Sequence, residues 1–207
     1  TFYLNSYRKT GIMKHLLLCG GKGVGKSYLA AAIAKNLKIT NFNEPRPAFE
    51  INAASILNPI HFFIHIVEKY IKDNEVTVFI DEVGNLKEKI VSLLLSALNP
   101  NKESKNLVEF EDFIFDCDFR KVTFIFATTD PQKLNPSFLD RVERLDIPNY
   151  KKWELSEIIK RNLPQIGFEN EVLDKITDTL RSNARAAQKR AIEINDYCVL
   201  KNKNRFG

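Results

Sequence analysis

Gly20-Gly21-Lys22-Gly23-Val24-Gly25-Lys26-Ser27 carries the spacing G-x-x-x-x-G-K-S. Phosphate binding asks for this composition. Successive backbone N–H groups must point into one concavity, which takes dihedrals that glycine tolerates. A helix opening at Gly25–Lys26 aims its positive end at an anion. Lys26 adds a point charge for the β- and γ-phosphates, and the Ser27 hydroxyl is suited to ligate Mg²⁺. Gly21, Lys22, Gly23, Val24, Gly25, Lys26, Ser27 and the adjoining Tyr28 are therefore the candidate nucleotide contacts. Lys22 reads either as a solvated side chain or as a second cation near the phosphates. The competing reading, a chance glycine-rich turn, does not explain why an apolar strand enters the run and a helix leaves it.

Two further strand ends carry polar groups. Val76–Ile80 is a continuous β-branched and aromatic run that ends in Asp81-Glu82. Asp81 is placed to hold Mg²⁺ through water, and Glu82 to polarise an attacking water, since phosphoryl transfer needs positioning and charge stabilisation. Many strands end in Asp. The distance from Ser27, enough for one helix–strand–helix unit, raises this pair above chance. Val122–Phe126 is another apolar run, followed by Ala127-Thr128-Thr129-Asp130. Thr129 is the first choice to bridge the γ-phosphate and the water, Thr128 the second, and plain turn chemistry the alternative. His61 and His65 lie one helical turn apart, but a zinc site wants a third ligand and, for hydrolysis, an adjacent glutamate. Packed or surface histidines are the better reading. The phenylalanine cluster at 62, 63, 110, 113, 115, 119, 124 and 126 reads as packing rather than a base-stacking platform.

These groups need elements to hold them. His15–Cys19, Ala48–Asn52, Val76–Ile80, Val122–Phe126 and Arg144–Ile147 read as strands. Between them, Lys26–Leu37, a proline-started helix from Asn58–Pro59 to about Lys72, Leu86–Leu98 and Leu134–Val142 read as helices. Leu107–Phe110 and Phe113–Cys117 alternate across an acidic turn and suggest a hairpin. Alternating strands and helices predict an α/β fold, a mostly parallel sheet of five strands covered on both faces. After Tyr150 the pattern changes to three helices, Trp153–Leu163, Asn170–Arg181 and Ala184–Lys201. The expected division is a nucleotide-binding core over 1–149 and an all-α lid over 150–207.

Bulk properties set the limits. The chain has 207 residues, a net charge of +5 and 44% hydrophobic residues. A sizeable core is available, and no apolar run is long enough to span a bilayer. The three cysteines are scattered and odd in number, which suits a reducing compartment and a cytoplasmic location. Basic balance permits nucleic-acid binding without diagnosing it. Acidic residues crowd 103–118, and basic ones crowd the C-terminal stretch from Arg181 to Arg205. A solvated basic helix and a phosphate-tracking surface both fit the latter. No secretory signal pattern opens the chain, and the missing initiator Met suggests a fragment.

Taken together, the loop, the acidic pair and the hydroxyl-ended strand resemble the AAA+ ATPases, and within them the RuvB-type branch-migration motors and the clamp loaders. His15 through Ala34 is similar to the RuvB phosphate-loop strand and helix, and Tyr3–Met13 to the helix before it. Phe126 through Leu134 and Phe49 through Ala54 are similar to clamp-loader strands, where Asn52 would hold the catalytic glutamate in check. The resemblance implies that Arg141 is an arginine finger reaching a neighbouring subunit. It makes Arg185 the lid arginine that touches nucleotide in its own subunit. It places the Thr129 strand between those of the phosphate loop and Glu82. The resemblance further implies ATP and Mg²⁺ as ligands, a homo-oligomeric ring such as a hexamer, DNA as partner, and a protein partner at the 107–117 hairpin. Departures are the Gly-Gly-Lys-Gly loop where RuvB has Gly-Pro-Pro-Gly, Val83-Gly84 after the acidic pair, and Ala184 in place of a proline. Neither an upstream adenine-pocket segment nor a winged-helix module is expected within the chain. The leading expectation is an ATP-hydrolysing DNA motor with helicase or translocase activity in recombination and repair. A nucleotide-gated assembly or adaptor ATPase and a clamp-loader-like subunit are the alternatives.

Overall fold

The computed structural model describes residues 2–40, 42–72, 74–98, 107–110 and 113–206. The chain divides into two compact units: Thr1–Cys19 with Ser27–Asp146, and Gly20–Lys26 with Ile147–Gly207.

The first unit opens with helix α1 (Phe2–Thr10), strand β1 (Leu16–Cys19) and helix α2, which runs Lys26–Ala34 and has all but its first residue in this unit. Then come β2 (Ala48–Asn52), α3 (Pro59–Phe62), β3 (Val76–Asp81) and α4 (Glu88–Ala97). A hairpin of β4 (Leu107–Phe110) and β5 (Phe113–Asp116) precedes β6 (Val122–Thr128), α5 (Pro136–Leu139) and β7 (Glu143–Asp146). Five strands form one parallel sheet in the order β2-β3-β6-β1-β7. Burial explains their composition. Every residue of β1 and β6 is buried, as expected of strands covered on both faces. The edge strands β2 and β7 alternate between half-buried and exposed.

The core is aromatic. Phe124 and Phe126 stack with centroids 5.8 Å apart, and Phe138 meets Phe126 edge-on at 4.9 Å. Phe62, Phe63, Phe119, Phe124, Phe126 and Phe138 are all fully enclosed. Each contributes roughly 2–3 kcal/mol by burial. The phenylalanines expected to pack therefore do so where their side chains are described.

Local differences from the sequence reading have local causes. β1 starts at Leu16: His15 O still accepts from Glu143 N–H at 2.8 Å, but on the β6 side Phe124 N–H donates to the His15 ring Nδ1 at 3.1 Å. The helix expected over 58–72 begins as read, with Asn58 accepting from His61 N–H and Pro59 at its first turn. From Phe63 to Ile71 it widens into π-helical pairing, with Lys72 N–H donating to Val67 O. The helix expected over 134–142 shortens to α5 because Asn135 caps it and Pro136 starts it. The hairpin pairs Leu107 with Asp116 through Phe110 with Phe113. Its acidic turn, Glu111–Asp112, lies outside the described residues, as do Glu103 and Lys105.

A polar cluster around the buried Arg46 lies at the N-terminal end of the sheet. Arg46 pairs with Glu75 at 3.3 Å, its Nε donates to Lys38 O at 2.8 Å and its Nη1 to the Thr123 hydroxyl at 3.3 Å. Thr40 donates to Glu75 from both N–H and hydroxyl. Burial alone pushes the Glu75 carboxyl up, but the Thr40 bonds and the Arg46 charge outweigh it and hold it below its usual range.

The second unit holds the glycine loop and three helices, α6 (Lys152–Asn162), α7 (Asn170–Thr179) and α8 (Ala184–Leu200). Leu155, Ile159, Leu163, Leu173, Ala187, Ala191, Ile194 and Cys198 form its core. Spacings of three and four residues give α6 and α8 one apolar face each. To the three expected helices the structure adds one short parallel pair, β8 (Gly167–Phe168) with β9 (Arg205–Phe206). Among the described residues, no helix is long and apolar enough to cross a membrane.

Candidate nucleotide site

Backbone geometry forms the loop first. Gly23 and Gly25 have φ of +78° and +95°, a region that side chains disfavour. The other glycines are there for space. A Cβ on Gly20 would come 2.9 Å from Ile147 O, and one on Gly21 would come 2.9 Å from Asn149 Oδ1. Lys26 is only 7% exposed. Its Nζ donates to Gly20 O at 3.0 Å and Gly21 O at 2.9 Å. The ammonium is thus anchored inside its own loop, with one donor left for an anion. That arrangement fits a polyphosphate. Val24 is buried, Ser27 half-buried, and Lys22 and Tyr28 exposed.

In the first unit, polar groups gather at the carboxyl ends of the parallel strands. Asn52 pairs in register with Asp81, and Cys19, just before the loop, pairs with Thr128. Open α/β sheets bind ligands outside this edge. Asp81 and Glu82 are both half-buried. Glu82 is left-handed, with φ 53° and ψ 47°, a conformation that costs a non-glycine residue about 1 kcal/mol or more. Local bonds maintain it. Glu82 N–H donates to Asp81 Oδ1 at 2.9 Å, and Asn85 N–H donates to Glu82 O at 2.9 Å.

The two threonines are sorted by burial. Thr128 is buried, and its Oγ1 accepts from Asp130 N–H at 3.0 Å. Thr129, the first choice from sequence, is exposed just past the strand. Asn52 is turned to local work: its Oδ1 accepts from Ala54 N–H at 2.9 Å. Arg141 is half-buried, with Nη1 donating to Ser137 O at 2.7 Å. Its Nε is buried and without a partner. In the other unit, Arg185 is exposed one residue into α8.

Sequence reasoning missed two residues that shape the loop. Asn149 and Asn183 stand against Gly21 and Gly23. Asn183 is legible as a helix cap, but no local pattern joins it to a glycine so far away in the chain. His61 and His65 do meet, with rings 4.5 Å apart. No group of three metal-ligating side chains occurs among the described residues.

The profile of the ATPase family associated with various cellular activities (AAA) matches residues 16–151. The chain belongs to this AAA family. An AAA domain binds nucleotide, and the glycine loop of this one is suited to it. Among curated relatives, the Holliday junction branch migration complex subunit RuvB of Mycoplasmopsis synoviae is 25% identical across 96% of this chain. The subunit of the same name in Bdellovibrio bacteriovorus is 26% identical across 91%. The chain spans 61% and 56% of their lengths. A solved structure of a RuvB mutant from Thermotoga maritima matches with a TM-score of 0.78 and 25% identity. It covers all of this chain, which spans 63% of that one. The AAA fold is therefore shared by sequence and by shape, and in this chain β6 lies between β3 and β1.

Proposed function

We propose that this AAA chain is the ATP-hydrolysing part of a ring-forming DNA motor that acts on branched DNA; the names of its relatives give them Holliday junction branch migration. The observation that carries this reading is the complete Gly20–Ser27 loop following β1, with Lys26 anchored within it. In this reading residues 1–149 serve as nucleotide-binding core and 150–207 as lid. Gly21, Lys22, Gly23, Val24, Gly25 and Tyr28 surround the polyphosphate, and Lys26 and Arg185 neutralise it. Ser27 and Asp81 are the residues that would hold Mg²⁺, whose charge assists phosphoryl transfer. Glu82 orients and polarises the water, Thr129 fixes its approach, and Arg141 completes the site of a neighbouring subunit. A homo-oligomeric ring, such as a hexamer, would supply that neighbour, and the scattered cysteines suit the cytoplasm.

The test is ATP turnover with and without a synthetic four-way DNA junction over a series of salt concentrations. Stimulation by the junction that fades steeply with salt supports the motor. Lys26→Ala should abolish nucleotide binding and all turnover. A second reading, an assembly or adaptor ATPase, is favoured by the β4–β5 hairpin, which forms its own two-stranded sheet. Turnover indifferent to DNA but stimulated by a protein partner, and lost on deleting the hairpin, would select it over the motor.

A further inference from the structure

We propose that Asn183 is a positioning residue that latches helix α8 to the phosphate loop, so that loop geometry and Arg185 are set together. The inference rests on the nucleotide-site reading above and assigns a residue that it leaves unused.

Gly23 is not one of the positions that G-x-x-x-x-G-K-S prescribes. Here two features exclude a side chain from it. Its φ is +78°. A Cβ would also fall 2.0 Å from Asn183 Oδ1 and 2.8 Å from Asn183 Nδ2, so the amide of Asn183 fills that space. The backbone makes a second tie, with Ala184 N–H donating to Gly23 O at 3.1 Å. The same Oδ1 accepts from Ala186 N–H at 3.1 Å and caps α8. One side chain therefore touches the loop and fixes the helix start. Arg185 lies between the two residues whose N–H groups are so engaged.

The approach to this latch is strained. Arg181 and Ser182 have φ of 48° and 59°, two successive left-handed residues without a glycine. Asn183 N–H donates to Leu180 O at 3.0 Å across them. Such a pair persists only where surrounding contacts over-determine it. The Gly23 ties are contacts of that kind. A loop that shifts around a γ-phosphate must carry the first turn of α8 with it, and Arg185 with that turn.

The experiment compares Asn183→Ser with Asn183→Ala and Gly23→Ala, singly and combined, in ATP and ADP titrations, steady-state turnover and ligand-free melting. Serine keeps a capping oxygen but is too short to fill the space beside Gly23. Asn183→Ser should melt close to wild type yet bind ATP about tenfold more weakly and turn over more slowly. Its ADP affinity should fall less. In the cycle, Gly23→Ala should cost less on the Asn183→Ala background than alone, since only the φ penalty remains. Wild-type ATP affinity and turnover in Asn183→Ser, or additive losses in the cycle, overturn the latch. So do losses that merely track melting temperature. Failure of the wild-type protein to bind ATP removes the nucleotide-site reading itself, a distinct result.

Discussion

Asp81 Oδ1 accepts a hydrogen bond from the backbone N–H of Glu82 at 2.9 Å. The candidate metal carboxylate thus also steadies the left-handed backbone that aims the candidate water-polarising one. The two residues should separate by substitution. Glu82→Gln keeps the backbone bond and should bind ATP within about threefold of wild type while turnover falls by about 10²–10³. Asp81→Ala loses both the carboxylate and the brace, so it should lose Mg²⁺-dependent ATP affinity as well. Isothermal titration beside a phosphate-release assay distinguishes the two.

Arg141 offers a test by subunit mixing. Its guanidinium donates to Ser137 O, within its own chain, and the proposed target lies in a neighbour. Arg141→Ala should bind ATP normally and turn over at least about tenfold more slowly. Mixed with Lys26→Ala, it should recover part of the lost turnover, because intact loops then meet intact fingers. No recovery at any ratio, with mixed oligomers demonstrated by native mass spectrometry, contradicts the assignment.

Arg46 is 9% exposed and its partner Glu75 lies close beside it. Glu75 is half-buried and keeps both Thr40 bonds when Arg46 is removed. Arg46→Met should still lose its bonds to Lys38 O and the Thr123 hydroxyl and destabilise the fold by about 1–3 kcal/mol, read from urea unfolding. The molecules that remain folded should bind ATP as wild type does, since the cluster sits at the opposite end of the strands from Asp81.

His15 supplies a pH dependence. Burial pushes its imidazole down to about 4, and Nδ1 is occupied as an acceptor for Phe124 N–H. The unfolded chain protonates this residue near its ordinary value. Its contribution is therefore fully present above about pH 6.5 and is lost as pH falls towards 4, by as much as about 3 kcal/mol. His15→Gln, which offers a non-titrating acceptor, should flatten that part of the stability–pH curve.

The sequence exposes these features unequally. The glycine loop is legible because its backbone leaves few residue choices at fixed spacing. β3 and β6 are legible because strands covered on both faces become unbroken apolar runs. The placing of β6 between β1 and β3 came from resemblance, as no local signal encodes strand order. The π-helical widening at Phe63–Ile71 is hidden, since its apolar spacing also suits an ordinary helix. Thr128 and Thr129 look alike as letters, and only burial separates them. The Arg46–Glu75 and Gly23–Asn183 contacts join residues from different elements, where periodicity gives no guide.

The placement of β1 in the sheet has a consequence for how the chain acquires its shape. Leu16 pairs with Ile125 on one side and Glu143 on the other. An early strand thus waits for the two partners that flank it until nearly all of the first unit has been synthesised. During that interval both of its hydrogen-bonding edges are open to strange strands. Loops this long also slow the search for native pairings. Nascent chains halted before Asp146 should be chaperone-dependent and prone to aggregate, whereas chains released beyond it have every strand the sheet requires.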